Sequence, residues 1–257
     1  MERRKRACFH GPFFFMADEK LIWDLLMNGI KNPYGVAGLM GNLFAESSLN
    51  PMCKTGGNKA ISGKIYTEQI NTMQIDRDQF AHDDIAYGLA QWRYWSRKEQ
   101  IYIAWGEYAE KMSGNISIAD IRFQVSFLLS EIKTYKTVWN TLLNAKSVKE
   151  ASDIVLVRYE KPASVGEKTK AKREQFGQDY YDKYALVDQP SLVGKRVRTK
   201  VSRVVIRNGN GKEYGAVGTI SKAGTLYELI AEAENGWYAI KLKSSVGWVS
   251  GEFAEKV

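Results

Sequence analysis

Histidine and cysteine are nearly absent from this 257-residue sequence: His10, His82, Cys8 and Cys53 are the whole supply. Two histidines cannot build a histidine-rich zinc centre, which needs three or four nitrogen or sulfur ligands. Two cysteines, one of them in an odd N-terminal stretch, do not make a disulfide scaffold or a cysteine-rich metal site. A Cys/His nucleophile pair would have to combine Cys53 with His82, and no local motif joins them; Cys53 reads as an ordinary loop or half-buried residue. No GxxxxGK[ST] phosphate loop occurs, and the glycines of NGNGKEYG lie between strand-like pieces, where hairpin turns account for them. Long apolar runs are missing too. Nothing approaches the ~18 residues of a membrane span, so the chain reads as soluble and not inserted in a bilayer. No cofactor and no metal are implied.

What is abundant is charge. Lys and Arg number 37 against 29 Asp and Glu, a formal net charge of +8 that points to an anionic partner: nucleic acid, a membrane surface or an acidic cell-envelope polymer. The basic residues are dispersed and no recognition motif accompanies them, which weakens nucleic acid. An apolar content of 44% is enough for one large domain or two ordinary ones. The opening, MERRKRACFHGPFFFMADEK, has a basic head and a short aromatic patch, but His10, Gly11 and Pro12 interrupt it and no small-residue cleavage site follows. The fold is expected to begin at Met16, with residues 1–16 a disordered tail.

From Asp18 to Asn28, Leu21, Ile22, Leu25 and Leu26 share one helical face, and Gly29 reads as a stop. Asn32 and Pro33 are an N-cap followed by proline at the first helical position, and Val36, Leu39, Met40 and Leu43 continue a stripe. Gly35, Gly38 and Gly41 recur every three residues, which lets another backbone come close. The stretch from Asn50 to Phe80 is polar and reads as a long loop or small hairpin region. Capping boxes at Ser96/Glu99, Ser117/Asp120 and Ser147/Glu150 announce further helices. Stripes Ile101, Trp105, Tyr108, Met112, then Ile121, Val125, Leu128, then Phe176, Tyr180, Tyr184 fill the helical part. Around Val187 to Gly194 the period changes to two. RVVIRN, AVGTI, TLYELIA, WYAIKL and VGWVS, separated by NGNG, KAG and ENG turns, describe a small antiparallel barrel. The expected class is α+β and multidomain, with a tail at 1–16, a helical domain at 17–188, a linker at 189–196 and an all-β module at 197–257.

With histidine, cysteine and phosphate-loop chemistry set aside, carboxylate chemistry remains. Glu46 lies seven residues after Leu39 and three after Leu43, so it extends an apolar stripe at a helix end. A glutamate placed so can be partly desolvated and hold its proton as a general acid. It can equally cap the helix or form an ion pair, and periodicity alone does not choose.

GVAGLMGNLFAESSLNP, then AYGLAQWRYWSRKEQ, then a helical remainder ending near VRYEKPA resemble the lysozyme-like glycan hydrolases, most closely the phage tail lysozyme family. The broader pattern is shared by lytic transglycosylases and goose-type lysozymes. The resemblance covers roughly Asp18 to Tyr184 and implies that Glu46 is the catalytic acid, with Ser47 beside it. It places Gly88, Leu89 and Gln91 along the sugar groove, lets Trp92 stack on a saccharide ring, and makes Tyr87 and Tyr159 candidates for the groove floor. For the second carboxylate that hydrolysis normally uses, Asp83 and Asp84 stand best among Glu68, Asp76, Asp83 and Asp84. Transglycosylases manage with one, because the substrate's own N-acetyl group and C6 hydroxyl assist.

Residues from Val201 to Val257 are similar to bacterial SH3 domains, which implies an SH3-like barrel binding cell-wall peptide, with Trp237, Tyr238 and Trp248 as wall-binding aromatics. Together the resemblances imply a monomeric endolysin of phage or prophage origin, the alternative being a non-catalytic wall-binding or virion-structural protein that keeps the lysozyme-like scaffold. Such an endolysin is made in the host cytoplasm and acts on peptidoglycan, on a Gram-positive wall by the charge, at the MurNAc–GlcNAc bond.

Overall fold

A computed structural model of the chain describes residues 15–162, 165–185, 195–233, 235–243 and 245–257. It divides into two compact units between Gly177 and Gln178. The expected tail lies outside the described residues except for Phe15 and Met16, which open the first helix, and residues 189–194 of the expected linker lie outside them as well.

The first unit is helical. Helix α1 is Phe15–Ile30 and α2 is Pro33–Ser47. Asn32 caps α2, its side chain accepting from Tyr34 N at 3.1 Å, while its Nδ2 donates to Ala145 O at 3.1 Å. Then come β1 (Lys54–Thr55), α3 (Gly63–Asn71), α4 (Arg77–His82) and β2 (Ala86–Tyr87). The remaining helices are α5 (Trp95–Lys111), α6 (Ile121–Thr134), α7 (Lys136–Asn144), α8 (Val148–Ile154) and α9 (Glu167–Tyr180), with a π-helical stretch, Val155–Glu160, continuing α8.

Helix α2 is the hub of this unit, and its three glycines explain how. A Cβ at Gly35 would strike the Leu142 carbonyl of α7, one at Gly38 would lie 2.6 Å from Ala151 Cβ of α8, and one at Gly41 would lie 2.5 Å from Gly177 N of α9. Each glycine therefore admits a different helix, and Val36, Leu39, Met40 and Leu43 are fully buried between them.

Three local expectations differ from the structure. The polar segment 50–80 holds two short helices: Ser62 caps α3 by accepting from Ile65 N at 3.2 Å, and Asp76 with Gln79 forms a reciprocal capping box on α4. These helices are too short to show a sustained apolar period, which is why composition read them as loop. Ser96 does not cap α5. The helix begins at Trp95 after Tyr94 with no side-chain cap, and its first turn is held instead by Arg97, which ion-pairs with Glu131 of α6. Ser147 caps α8 as the sequence indicates, whereas α6 is capped not by Ser117 but by Asp120, which accepts from Phe123 N at 3.0 Å.

The second unit carries a π-helical turn, Tyr181–Ala185, and seven antiparallel strands: β3 (Arg196–Thr199), β4 (Val204–Arg207), β5 (Ala216–Ile220), β6 (Leu226–Glu232), β7 (Trp237–Lys241), β8 (Val246–Ser250) and β9 (Ala254–Lys256). They form one sheet in the order β5-β4-β8-β7-β6-β3-β9 around Val197, Val204, Ile206, Ile220, Leu229, Ile240 and Val249. The expected SH3-like barrel is corrected here. The sheet is open, ending in β5 on one side and β9 on the other, and among the described residues no ladder joins those two. An alternation of two fixes which face of a strand is buried but says nothing of whether the end strands meet. Here β9 is three residues long and is used up on β3, and four of the five β5 residues are exposed.

Candidate active site

The carboxylate of Glu46 owes its place to the way α2 ends. Ser48 adopts the left-handed conformation (φ 55°) and its N–H returns to Phe44 O at 2.8 Å, and Leu49 follows at φ 58°. These two turns swing the chain away and leave Glu46 three-quarters buried at the edge of the core. Ser47 is fully buried: its Oγ donates to Leu43 O at 3.1 Å and to Leu89 O at 2.8 Å. It is thus a tie between the end of α2 and the YGLAQW turn rather than a surface facing solvent.

That turn is closed by two backbone bonds, Tyr87 N to Trp92 O at 3.0 Å and Trp92 N to Tyr87 O at 2.9 Å. Gly88 sits at φ 78°, and a Cβ there would lie 2.8 Å from Gln124 Oε1. Gln124 is buried and holds three segments at once. Its Oε1 accepts from Leu89 N at 2.9 Å, and its Nε2 donates to Pro51 O at 2.9 Å and Ile118 O at 3.0 Å. Gln91 donates through Nε2 to Cys53 O and Gly88 O, both at 3.0 Å, and accepts from Thr55 Oγ1 at 2.7 Å. Cys53 itself is buried, not half-buried.

Beside this turn lies a cleft of about 660 Å³ whose walls include Glu46, Glu160, Gln91, Arg97, Tyr94 and Trp95. Glu46 is ion-paired with Arg173 of α9, which is buried and also donates through Nη1 to Asn42 Oδ1 at 3.1 Å and Asn42 O at 3.3 Å. A second cluster supports the wall. Glu131 accepts from Arg97 Nε at 2.6 Å, from Trp92 Nε1 at 3.0 Å and from Tyr159 OH at 2.5 Å. Burial pushes the Glu131 carboxyl up, but the hydrogen bonds and charge of Arg97, with those of Tyr159 and Trp92, outweigh it and hold it below the usual carboxylate range. Burial lifts the Tyr159 hydroxyl well above the usual phenol value, so it serves as a donor.

The residues named from sequence therefore fall into distinct places. Glu46 and Gln91 line the cleft; Gly88 and Leu89 form the turn behind it. Tyr87, Trp92 and Tyr159 are buried, their polar tips bonded to Thr67, Glu131 and Arg97 or Glu131 respectively. Asp83 and Asp84 both border the cleft. Asp83 accepts from Tyr66 OH at 2.5 Å and Ile85 N at 3.0 Å and is ion-paired with the wholly buried Lys98, whereas Asp84 is solvated, 3.9 Å from Arg93. In the second unit Trp248 is fully buried with its Nε1 3.4 Å from Asp182, Trp237 is buried, and Tyr238 is half-buried.

Sequence reasoning did not single out Glu160, Arg173, Glu131, Gln124 or the exposed pair Tyr94 and Trp95. Trp95 is 46% exposed, stacked on His82 with ring centres 5.8 Å apart, and Tyr94 is 64% exposed. The run WRYW carried the signal for this aromatic rim, but only the fold shows which of its rings face out. Among the described residues no cluster of His, Cys, Asp and Glu is suited to a metal ion, and no helix is long and apolar enough to cross a membrane.

A family model described as phage tail lysozyme matches residues 17–184, well over half of the chain and the whole of the cleft. No curated protein matches the chain.

Proposed function

This chain belongs to the phage tail lysozyme family, and on that premise we propose that it hydrolyses the glycan strand of peptidoglycan, with Glu46 as general acid at the MurNAc–GlcNAc β-1,4 bond. The observation that carries the reading is the position of Glu46: a carboxylate at the end of a buried helix, opening on a cleft about 660 Å³ in volume with exposed aromatic rings along its rim. Sugar rings present apolar faces and a fringe of hydroxyls. The exposed rings of Tyr94 and Trp95 on the cleft suit stacking of that kind. In the reaction the Glu46 proton goes to the glycosidic oxygen as its bond to the anomeric carbon breaks, and water completes the hydrolysis.

The basic charge supports association with anionic wall polymers and hence a Gram-positive surface. The second unit is proposed to add to wall retention through its sheet. A second reading, lytic transglycosylase, draws support from Asp83, whose oxygens are engaged by Tyr66, Ile85 and Lys98, so that of the two expected partners only the solvated Asp84 is left to activate water.

Purified peptidoglycan incubated with the parent protein and with Glu46→Gln decides the matter. The parent should release new reducing ends and the variant almost none; absence of new saccharide ends with the parent would sink the enzyme reading. Product masses separate the two chemistries, since anhydro-muramic ends would replace hydrolysis by transglycosylation.

A further inference from the structure

The cleft of Glu46 contains a second carboxyl group in an unusual setting. Glu160 ends the π-helical stretch Val155–Glu160, and the next residue, Lys161, turns left-handed (φ 46°) to return its N–H to Leu156 O at 3.0 Å. A π-turn inserts an extra residue and so re-aims the side chains after it; such turns recur at functional sites. The re-aimed Glu160 lines the same cleft as Glu46. It is half-buried, its Oε1 is sealed from solvent with no hydrogen-bond partner, and among the described residues none forms an ion pair with it.

Among the described residues, the charged groups that act on Glu160 include Glu46 from α2, Arg97 from α5, Glu131 from α6 and Arg173 from α9, with the titratable Tyr159 beside it. Arg173 is committed to Glu46 and Asn42, and Arg97 to Glu131 and Tyr159. These two guanidiniums balance two carboxylates, so an ionised Glu160 would be a third negative charge with no ion-pair partner among the described residues. The electrostatics agree: burial, then the charge of Glu46, lift the Glu160 carboxyl to about 8 against the pull of Arg173 and Arg97.

We propose that Glu160 is a working member of this site, paired with Glu46 so that the two carboxyl groups hold one proton between them and deliver it to the substrate. The proposal rests on the reading of Glu46 given above and supplies what that reading lacked, a source for the acid's proton while Glu46 is engaged with Arg173. At rest the proton is on Glu160. In turnover it passes to Glu46 and from there to the glycosidic oxygen as the bond to the anomeric carbon breaks. The water that adds to that carbon gives up one proton, which restores the pair, so one proton leaves and one returns.

The test is the pH dependence of peptidoglycan cleavage by the parent, Glu160→Gln, Glu160→Asp and Glu46→Gln. Parent activity should fall above about pH 8, where Glu160 loses its proton. Glu160→Gln keeps the size and neutrality of the protonated acid but cannot pass a proton. It should lose on the order of 10²-fold in kcat at neutral pH with KM nearly unchanged, and its descending limb should move to lower pH. A Gln variant with the parent's kcat and pH profile, or one whose activity extends to higher pH, would make Glu160 a neutral packing residue and overturn the proposal. Should Glu160→Gln fail to melt cooperatively, Glu160→Asp decides: a lower kcat with a displaced alkaline limb supports the pair, and a profile superimposable on the parent's refutes it. Glu46→Gln keeps the two readings apart. If it cleaves like the parent, the role of Glu46 fails; if it is inactive while Glu160→Gln behaves as the parent, only the pair fails.

Discussion

Gly41→Ala adds a single methyl group, yet it should damage both stability and chemistry. The new Cβ would fall on the Arg173 carbonyl, 2.5 Å from Gly177 N and 2.8 Å from Gly177 Cα. Comfortable contacts of this kind lie at about 3.5–4.0 Å, so α2 and α9 must part by about 1 Å, because backbone atoms have no rotamer to retreat into. Overpacking of this kind costs about 1–3 kcal/mol or more, and the better helix propensity of alanine returns somewhat under about 1 kcal/mol. At about 2–4 °C per kcal/mol for a chain of this size, the melting temperature should fall by several degrees. Arg173, the partner of Glu46, is carried on the displaced helix, and a ~1 Å misplacement of a catalytic group can cost about 10²-fold in rate. Calorimetry with a wall-clearing assay reads both effects. Gly106→Ala is the control: Gly106 is an exposed position within α5 with nothing within 4 Å of an added Cβ, so the same methyl should raise the melting temperature slightly and leave activity alone. A Gly41→Ala protein that melts and clears walls like the parent would refute the idea that this close approach sets the site.

Trp95→Ala, at an exposed ring on the cleft, should leave the melting temperature nearly unchanged and raise KM for soluble glycan fragments about three- to tenfold with little change in kcat; an unaltered KM would remove Trp95 from the sugar path. Asp182→Asn addresses the second unit. Burial lifts the Asp182 carboxyl to about 7, well above its unfolded value near ~3.9, so the folded state holds an extra proton between these pH values and stability should decline as pH rises through about 7. Asp182 Oδ1 accepts from both Gln178 Nε2 and Trp248 Nε1, and asparagine retains an oxygen there. The variant should flatten the pH dependence of the Trp248 unfolding signal between about pH 5 and 8, and an unchanged slope would show that Asp182 does not cause it.

Much of the helical unit is legible in the sequence because helices are specified locally. Asn32 and Pro33 mark the start of α2, the Leu39–Leu43 stripe marks its buried face, and Ser147 marks α8. Short helices escaped because α3 and α4 are held by caps and neighbours rather than by a long apolar stripe. The five strands named from the alternation of two all form, whereas the barrel does not, since closure depends on whether strands far apart in the chain meet. In the site the sequence offered Trp92 and the Asp83/Asp84 pair. The fold turns the Trp92 ring inward to Glu131 and ties Asp83 to Lys98, while Tyr94, Trp95 and Glu160 line the cleft.

By itself, then, the sequence determined the longer helices and the carboxylate at the end of α2, which rest on caps and apolar stripes within a single helix. Only the tertiary structure decided the electrostatics. Glu46, Glu160, Arg173 and Glu131 come from four separate elements, and whether a carboxyl group there keeps its proton depends on burial and on which cation is already taken, neither of which is written in local spacing.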